Sequence, residues 1–255
     1  MRTIPFRPQK NIETAPGVVP VTGTAACRGI RRALLSLLSL LFLVVMLGII
    51  NVPVVHSNQS APSGNAAGAG SSQKGTHILA FGDSLTAGYG LENRLSFPVV
   101  LERQLRERGH AVRVTNAGVS GDTSAGGAAR IGWALADKPD ILILELGAND
   151  ALQGLSPEHT KRNLAGIIRA CQEQGVQVLL AGMHAPRNLG PEYAAAYDAV
   201  YPALAKEFGV AFHPFFLEGV ALDAALNQQD GMHPNAAGVE VVVRNIVPAV
   251  ERLLP

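Results

Sequence analysis

Residues 77–84 read H-I-L-A-F-G-D-S, a short apolar run that stops abruptly in Gly82, Asp83 and Ser84. Such a run is typical of a buried strand that ends in a loop. In α/β folds, the residues that carry chemistry usually lie at the carboxyl ends of the strands. Gly-Asp-Ser is also ordinary turn chemistry, so this stretch alone leaves Ser84 open as a turn residue or a nucleophile.

The strand-like pattern alternates with helical periodicity along the rest of the chain. Further apolar runs predict strands at 111–116, 141–146, 176–181 and 210–213. Helical periodicity predicts helices at 97–109, 123–136, 157–174, 192–208 and 236–254. Because the strand segments are uniformly apolar, the pattern predicts an α/β fold with a parallel sheet covered by helices on both faces.

Charge separates the N-terminal part of the chain from the rest. Residues 1–75 contain seven Lys or Arg and one acidic residue, whereas residues 76–255 contain 14 basic and 19 acidic residues. An acidic body without a basic run argues against nucleic acid as a partner. Residues 33–50 carry no charge, follow three arginines and are long enough to cross most of a bilayer's hydrocarbon core. The positive-inside bias then places the acidic body outside the cytoplasm.

The chain is therefore expected to have four parts. They are a basic cytoplasmic segment (1–32), a hydrophobic helix (33–50), a flexible Ser/Gly/Ala-rich linker (51–75) and one folded domain (76–255). The hydrophobic segment is either a signal peptide or an uncleaved signal anchor, and its length favours the anchor. We expect a periplasmic or other extracytoplasmic protein, anchored to the inner membrane through 33–50 or released by cleavage.

Polar blocks follow three of the predicted strands, and a fourth block lies near the C-terminus. They are G-D-S-L (82–85), N-A-G-V-S-G-D-T (116–123), G-A-N-D (147–150) and D-G-M-H-P-N (230–235). The carboxyl ends of parallel strands meet at one edge of the sheet. We therefore expect one cleft to contain Ser84, Gly121, Asn149, Asp230 and His233.

The chemistry of these five residues is complementary. The imidazole of His233 can activate the Ser84 hydroxyl, and Asp230, three residues earlier, can orient that imidazole. A tetrahedral oxyanion needs preorganised donors. The backbone N–H groups of Ser84 and Gly121 and the side-chain amide of Asn149 would supply three. This set predicts acyl transfer without a metal or an organic cofactor.

In these four blocks, their order and their spacing, the chain resembles the GDSL, or SGNH, hydrolases. It is most similar to the bacterial periplasmic thioesterase, lysophospholipase and arylesterase subgroup, which Y-P-A-L-A-K-E-F-G-V (201–210) also resembles. The resemblance implies a three-layer flavodoxin-like sandwich with sheet order 2-1-3-4-5. It implies Ser84 as nucleophile, Gly121 and Asn149 in the oxyanion hole, and Asp230 and His233 as the rest of the triad.

One loop departs from the subgroup. Its thioesterases tend to carry Arg-Leu-Pro where this chain has His184, Ala185 and Pro186. In the subgroup this loop is thought to close over the acyl chain, so these three residues are candidates for substrate binding. The smaller Ala185 argues against a preference for long-chain thioesters.

The predicted function is that of a monomeric serine esterase acting on carboxylic esters and thioesters, with lysophospholipids and medium-chain acyl esters as fitting substrates. A deacetylase of cell-wall or exported polysaccharide, using the same triad, is an alternative that a groove of aromatic and polar groups would favour. A membrane-tethered binding module without activity is the non-enzymatic alternative. Two further acids, Asp122 and Asp150, are expected to cap the elements that follow them.

Overall fold

A computed structural model describes residues 75–255 of the chain. The predicted segment at 1–32, the hydrophobic helix at 33–50 and the linker up to residue 74 lie outside the described residues. From residue 75 onward, no helix combines the length and the apolar character needed to cross a membrane.

Five parallel strands form one sheet in the order β2-β1-β3-β4-β5, which confirms the predicted strand order. The strands are β1 (Thr76–Gly82), β2 (Val112–Gly118), β3 (Ile141–Glu145), β4 (Gln177–Ala181) and β5 (Ala211–His213). The central strands β1 and β3 consist almost wholly of buried residues, as expected from their largely apolar sequences. The edge strand β2 is more exposed and runs two residues beyond its predicted end.

Helices connect the strands. They are α1 (Ser84–Ala87), α2 (Phe97–Glu107), α3 (Ser124–Leu135), α4 (Ala148–Leu152), α5 (Pro157–Glu173), α6 (Pro191–Asp198), α7 (Val200–Phe208) and α8 (Ala236–Glu251). Short 3₁₀ turns lie at Asn93–Leu95 and Arg187–Leu189.

The helices pack in two groups, α2 with α8 and α3 with α5 and α7. Connections between parallel strands are right-handed. The chain first moves from β1 to β2 in one direction and then from β2 through β3 and β4 to β5 in the other, so the two helix groups lie on opposite faces of the sheet. The result is the predicted three-layer α/β sandwich, with the core on both sides of the sheet.

The single helix predicted at 192–208 is wrong, because two helices, α6 and α7, occupy this region. Pro202 explains the break. Proline has no N–H to donate to the carbonyl four residues earlier, that of Asp198, and its ring crowds that carbonyl. Helix α6 accordingly ends at Asp198, and α7 restarts after Ala199.

Candidate active site

Ser84 lies at the carboxyl edge of the sheet, where β1 turns into the short helix α1. Asp83 caps this helix, because its Oδ1 accepts a hydrogen bond of 3.0 Å from the backbone N–H of Leu85. The Asp83 side chain is buried, and this burial raises the pKa of its carboxyl to about 6. The cap fixes the first turn of α1, and with it the position of Ser84.

A continuous hydrogen-bonded chain joins Ser84, His233 and Asp230. The Nε2 atom of His233 lies 2.9 Å from Oγ of Ser84, and Nδ1 of His233 lies 2.6 Å from Oδ2 of Asp230. The ring of Tyr89 packs against the His233 imidazole, with 4.7 Å between the ring centroids. Of the five residues expected in one cleft, Ser84 and Asp230 therefore each lie within hydrogen-bonding distance of His233.

The loop that carries Asp230 and His233 is held by its own backbone. The Oδ1 atom of Asp230 accepts hydrogen bonds from the N–H groups of Met232 and His233, at 2.9 and 3.0 Å. These bonds, with the bond to the His233 ring, lower the pKa of Asp230 to about 2. Asn235 then caps helix α8 by accepting from the N–H of Gly238. Asp230 is thus an anionic partner for the imidazole throughout the neutral range.

The expected oxyanion donors come from three loops at this edge. Within residues 75–255, the backbone N–H groups of Ser84 and Gly121 donate no hydrogen bond. Gly121 adopts a φ of 82°, a conformation that favours glycine, and nothing lies within 4 Å of the position of an added Cβ. The Asn149 amide donates to Oδ2 of Asp83 at 3.0 Å and to the backbone oxygen of Asp122 at 2.9 Å. The amide therefore bridges the Ser84 loop and the Gly121 loop.

A cavity of about 640 Å³ opens beside Ser84, Asn149 and His233. Its walls are mostly apolar and include Leu85, Leu152, Met183, Phe215, Leu217, Leu222 and Met232. Gly121 is not among the described residues that line it. A cavity of this size and character fits a small, largely apolar ligand.

The loop whose sequence differs from that of the subgroup also lines this cavity, through His184, Ala185 and Pro186. Asp198 holds the loop, because its Oδ1 accepts from the N–H of Ala185 at 3.0 Å and its Oδ2 lies 3.4 Å from Nδ1 of His184. The His184 ring packs on Phe215, with 4.4 Å between the ring centroids.

The acids Asp122 and Asp150 do not cap the elements that follow them. Thr123 caps α3 through its Oγ1, while Asp122 binds the Arg130 guanidinium. Asp150 is buried and accepts hydrogen bonds from Ser124 and Thr160, so it ties the starts of α3 and α5 together. In both cases donors eight or more residues away occupy the carboxylate in place of the N–H groups of the next helix.

Sequence reasoning missed a buried polar cluster under the Ser84 turn. Glu145 ends the apolar strand β3 and is fully buried, with its Oε2 accepting from the Thr86 hydroxyl at 2.8 Å. Burial, with the nearby Asp83 carboxyl, raises the pKa of Glu145 well above its ordinary value. The signal for this cluster was present in the sequence, as a single acid at the end of the run I-L-I-L-E.

Two tyrosines support the loop that carries Asn149, and they were also missed. Tyr197 and Tyr201, one turn apart, donate to the backbone oxygens of Gly147 and Leu146. Burial raises the pKa of Tyr197 and that of Tyr201 well above the ordinary value, so both hydroxyls remain donors at neutral pH.

Known proteins share both the sequence and the fold of this chain. Residues 80–241 match the GDSL-like Lipase/Acylhydrolase family. The esterase TesA of Pseudomonas aeruginosa is 40% identical over 178 residues, which cover 69% of this chain and 89% of that protein. Thioesterase 1/protease 1/lysophospholipase L1 of Escherichia coli is 39% identical over 159 residues, covering 62% of this chain and 75% of that protein.

Solved structures give the same picture. A crystal structure of TesA superposes with a TM-score of 0.68 over 70% of this chain and 100% of that chain. AlinE4, described as an SGNH-hydrolase family esterase, superposes with a TM-score of 0.60 at 48% identity, over 71% of this chain and 98% of that chain.

Proposed function

This chain belongs to the GDSL-like lipase/acylhydrolase family, or SGNH hydrolases, and is a serine esterase of that type; from this premise we propose that Ser84 is its nucleophile. His233 is the general base and Asp230 orients it. The backbone N–H groups of Ser84 and Gly121 and the amide of Asn149 stabilise the oxyanion.

The observation that carries this assignment is the unbroken chain from Oδ2 of Asp230 through the His233 ring to Oγ of Ser84, with contacts of 2.6 and 2.9 Å. With its Nδ1 proton directed at Asp230, the imidazole has a free lone pair on Nε2 to accept the hydroxyl proton. An intact arrangement of this kind has no purpose in a binding module, so the geometry supports catalysis over that alternative.

The reaction then follows in two halves. As Ser84 Oγ bonds to the carbonyl carbon, Nε2 of His233 takes the hydroxyl proton. The bond from the carbonyl carbon to the leaving oxygen, or sulfur in a thioester, breaks, and His233 returns the proton to the leaving group. Water next attacks the acyl-enzyme, again with His233 as base. The carboxylic acid leaves and the Ser84 hydroxyl is restored.

The negative charge that forms on the carbonyl oxygen is met by donors that exist before substrate binds. The N–H groups of Ser84 and Gly121 make no other hydrogen bond within the described chain. The two N–H groups of the Asn149 amide are bound to Asp83 and to the Asp122 carbonyl, so one of these bonds has to open for the amide to donate to the oxyanion. The two backbone donors need no reorganisation during the reaction, which is the source of their catalytic effect.

The cavity supports acyl esters as the substrate class. Its aliphatic and Met side chains, with Phe215, would bury an alkyl chain beside Ser84. A polysaccharide deacetylase would need polar and aromatic groups to hold a sugar, so the lining disfavours that alternative. Lysophospholipids, medium-chain acyl esters and thioesters of similar size fit the cavity in this proposal.

We place this activity outside the cytoplasmic membrane. The support is the basic segment in front of residues 33–50 and the acidic body behind them. Protease added to intact spheroplasts that express the full chain should digest the esterase domain. Protection of that domain until the membrane is lysed would show that it faces the cytoplasm.

The test of function uses residues 75–255, which contain the whole sheet and its core. Crystallised relatives consist of this portion alone, so it is expected to fold by itself. Wild type should hydrolyse p-nitrophenyl esters and react with a fluorophosphonate probe, and Ser84→Ala should lose both properties.

Ser156→Ala is the matched control, because Ser156 lies outside the cavity lining and should keep both activities. A series of esters from acetyl to palmitoyl would separate the two enzymatic alternatives. Turnover of acetyl esters alone would support the deacetylase, whereas a folded wild-type protein that neither turns over nor labels would exclude Ser84 as a nucleophile.

A further inference from the structure

Glu145 is an acid in the most protected part of the fold. It is the last residue of β3, pairs in register with Gly82 of β1, and has no exposed surface. The four residues before it in the strand are all apolar and buried. A buried carboxyl group loses its hydration and must replace it with hydrogen bonds to the protein, so its partners show which segments it holds in place.

The partners of Glu145 lie on either side of Ser84. Its Oε2 atom accepts a hydrogen bond of 2.8 Å from the Thr86 hydroxyl and one of 3.3 Å from the backbone N–H of Asp83. Asp83 directly precedes Ser84, and Thr86 follows it by two residues. One carboxyl oxygen thus holds the chain both before and after the proposed nucleophile.

We propose that Glu145 is a positioning residue for the reaction, which fixes the Ser84 turn by binding Asp83 and Thr86 at once. This inference rests on the proposed function of Ser84 and extends it to a residue that touches neither the substrate nor the triad. Held at both sides, the turn keeps the Ser84 hydroxyl 2.9 Å from His233 and keeps its N–H unpaired.

The packing around this contact leaves little freedom. A Cβ added to Gly82 would lie 2.1 Å from Oγ1 of Thr86 and 2.5 Å from Oε2 of Glu145, which is too close for any side chain. The glycine of the G-D-S sequence is therefore required by the Glu145–Thr86 pair. Because the turn packs this closely on the Glu145–Thr86 pair, a change at Glu145 should be transmitted directly to Ser84.

The second carboxyl oxygen of Glu145 has a different environment. Oε1 is buried and has no hydrogen-bond partner among the described residues. Leaving a buried polar atom unpaired destabilises the folded state. Burial, with the Asp83 carboxyl nearby, raises the pKa of Glu145 well above its ordinary value, which disfavours a second negative charge beside Asp83. What Glu145 contributes to the site is the acceptor Oε2, and an amide could supply the same acceptor.

The test compares three variants of residues 75–255: Glu145→Ala, Glu145→Gln and Thr86→Val. The readouts are kcat and KM for p-nitrophenyl butyrate, and the rate of labelling by a fluorophosphonate. We expect Glu145→Ala to lower kcat and the labelling rate by about 10²-fold, the order expected when a reacting group is misplaced by an ångström, with KM little changed. Glu145→Gln should restore most of both rates because it keeps the acceptor.

Leu105→Ala is the control for loss of stability. Leu105 is fully buried in α2, away from the cavity lining, and its truncation should lower the melting temperature without lowering kcat. If Glu145→Ala does not fold, Thr86→Val decides the question, because it removes only the hydroxyl that Oε2 accepts and keeps the side-chain shape. A fall in kcat at constant KM in that variant supports the inference.

Three results would overturn it. They are wild-type rates in folded Glu145→Ala, wild-type rates in Thr86→Val where Glu145→Ala is unfolded, and a loss in Glu145→Gln as large as that in Glu145→Ala. Failure of the proposed function is a separate result, since the wild-type protein itself would then neither label nor turn over.

Discussion

The Nε atom of Arg130 donates a hydrogen bond of 2.7 Å to Oδ2 of Asp122, and this bond ties helix α3 to the Gly121 loop. The same guanidinium donates to the backbone oxygens of Ala117 and Gly82, both at 2.9 Å, and lies 3.9 Å from the centre of the Phe81 ring. Arg130 therefore holds the ends of β1 and β2, from which two of the proposed oxyanion donors extend.

Arg130→Lys should lower kcat for short-chain esters by about tenfold or more. The lysine ammonium cannot bind all three acceptors that the planar guanidinium binds. The loss should appear mainly in kcat, since the residue lies outside the cavity lining. Arg94→Lys, at an exposed pair with Glu92, is the matched control and should match wild type. Equal kcat in Arg130→Lys and wild type would show that the Gly121 loop needs no such support.

Asp230→Asn should lower kcat on the order of 10⁴-fold, the effect seen when an amide favours the wrong imidazole tautomer. An asparagine oxygen can still accept from the N–H groups of Met232 and His233, so the loop should keep its shape. The measurement is kcat with a p-nitrophenyl ester, beside the circular dichroism of the variant. Asp223→Asn, which removes a similar carboxylate bound to the N–H of Ala225, should leave kcat unchanged. A loss of less than tenfold in Asp230→Asn would contradict the assigned role.

Leu222→Ser should reduce activity selectively on longer acyl chains. Leu222 is 96% exposed, adopts a φ of 66° and lines the mouth of the cavity. Contact with the end of an acyl chain would remove about one or two methylenes from water, each worth about 0.8 kcal/mol, or about four- to fifteenfold in kcat/KM. The ratio of kcat/KM for decanoyl and butyryl esters should fall by that factor. Trp133→Ser, at a residue 91% exposed and outside the lining, should not change the ratio.

The stability of Glu145→Gln relative to wild type should rise with pH. Burial raises the pKa of Glu145, so its contribution to stability is fully present below the ordinary pKa of 4.5 and is lost as pH rises towards the folded value. Glutamine does not titrate and avoids this loss. Urea denaturation between about pH 5 and 8 would measure the difference in the free energy of unfolding. Glu173→Gln, at an exposed site, should show no such trend. A constant difference across this range would mean that Glu145 ionises normally.

The strands and the convergence of the polar blocks could be predicted because their signals are local. An apolar run followed by Gly, Asp and Ser describes β1 and its turn within eight residues. Parallel topology then requires the strand ends to share one edge, and His233, in the loop before α8, meets Ser84 there from 149 residues away. The break at Pro202 was equally readable, since proline cannot donate to Asp198, but helical periodicity dominated the prediction.

The supporting contacts could not be predicted, because they depend on how elements are rotated and spaced after packing. Nothing in the sequence near Arg130 indicates that its side chain reaches the Gly82 carbonyl. Asp150 looks like a local cap, yet its partners, Ser124 and Thr160, lie on two other helices. Glu145 was visible as an acid in an apolar strand, but its contact with Thr86 depends on the register that pairs it with Gly82 and on how α1 turns back after β1.

The two ends of the described domain leave from the edge of the sheet opposite the cavity. Gly75 precedes the start of β1, and α8 runs back from the His233 loop until Leu253 meets Gln177 at the start of β4. A linker, a label or a solid support attached at either end would therefore leave the cavity mouth unobstructed. Enzyme immobilised through one end should present its mouth to the surrounding solution, and both ends should tolerate fusion partners equally well.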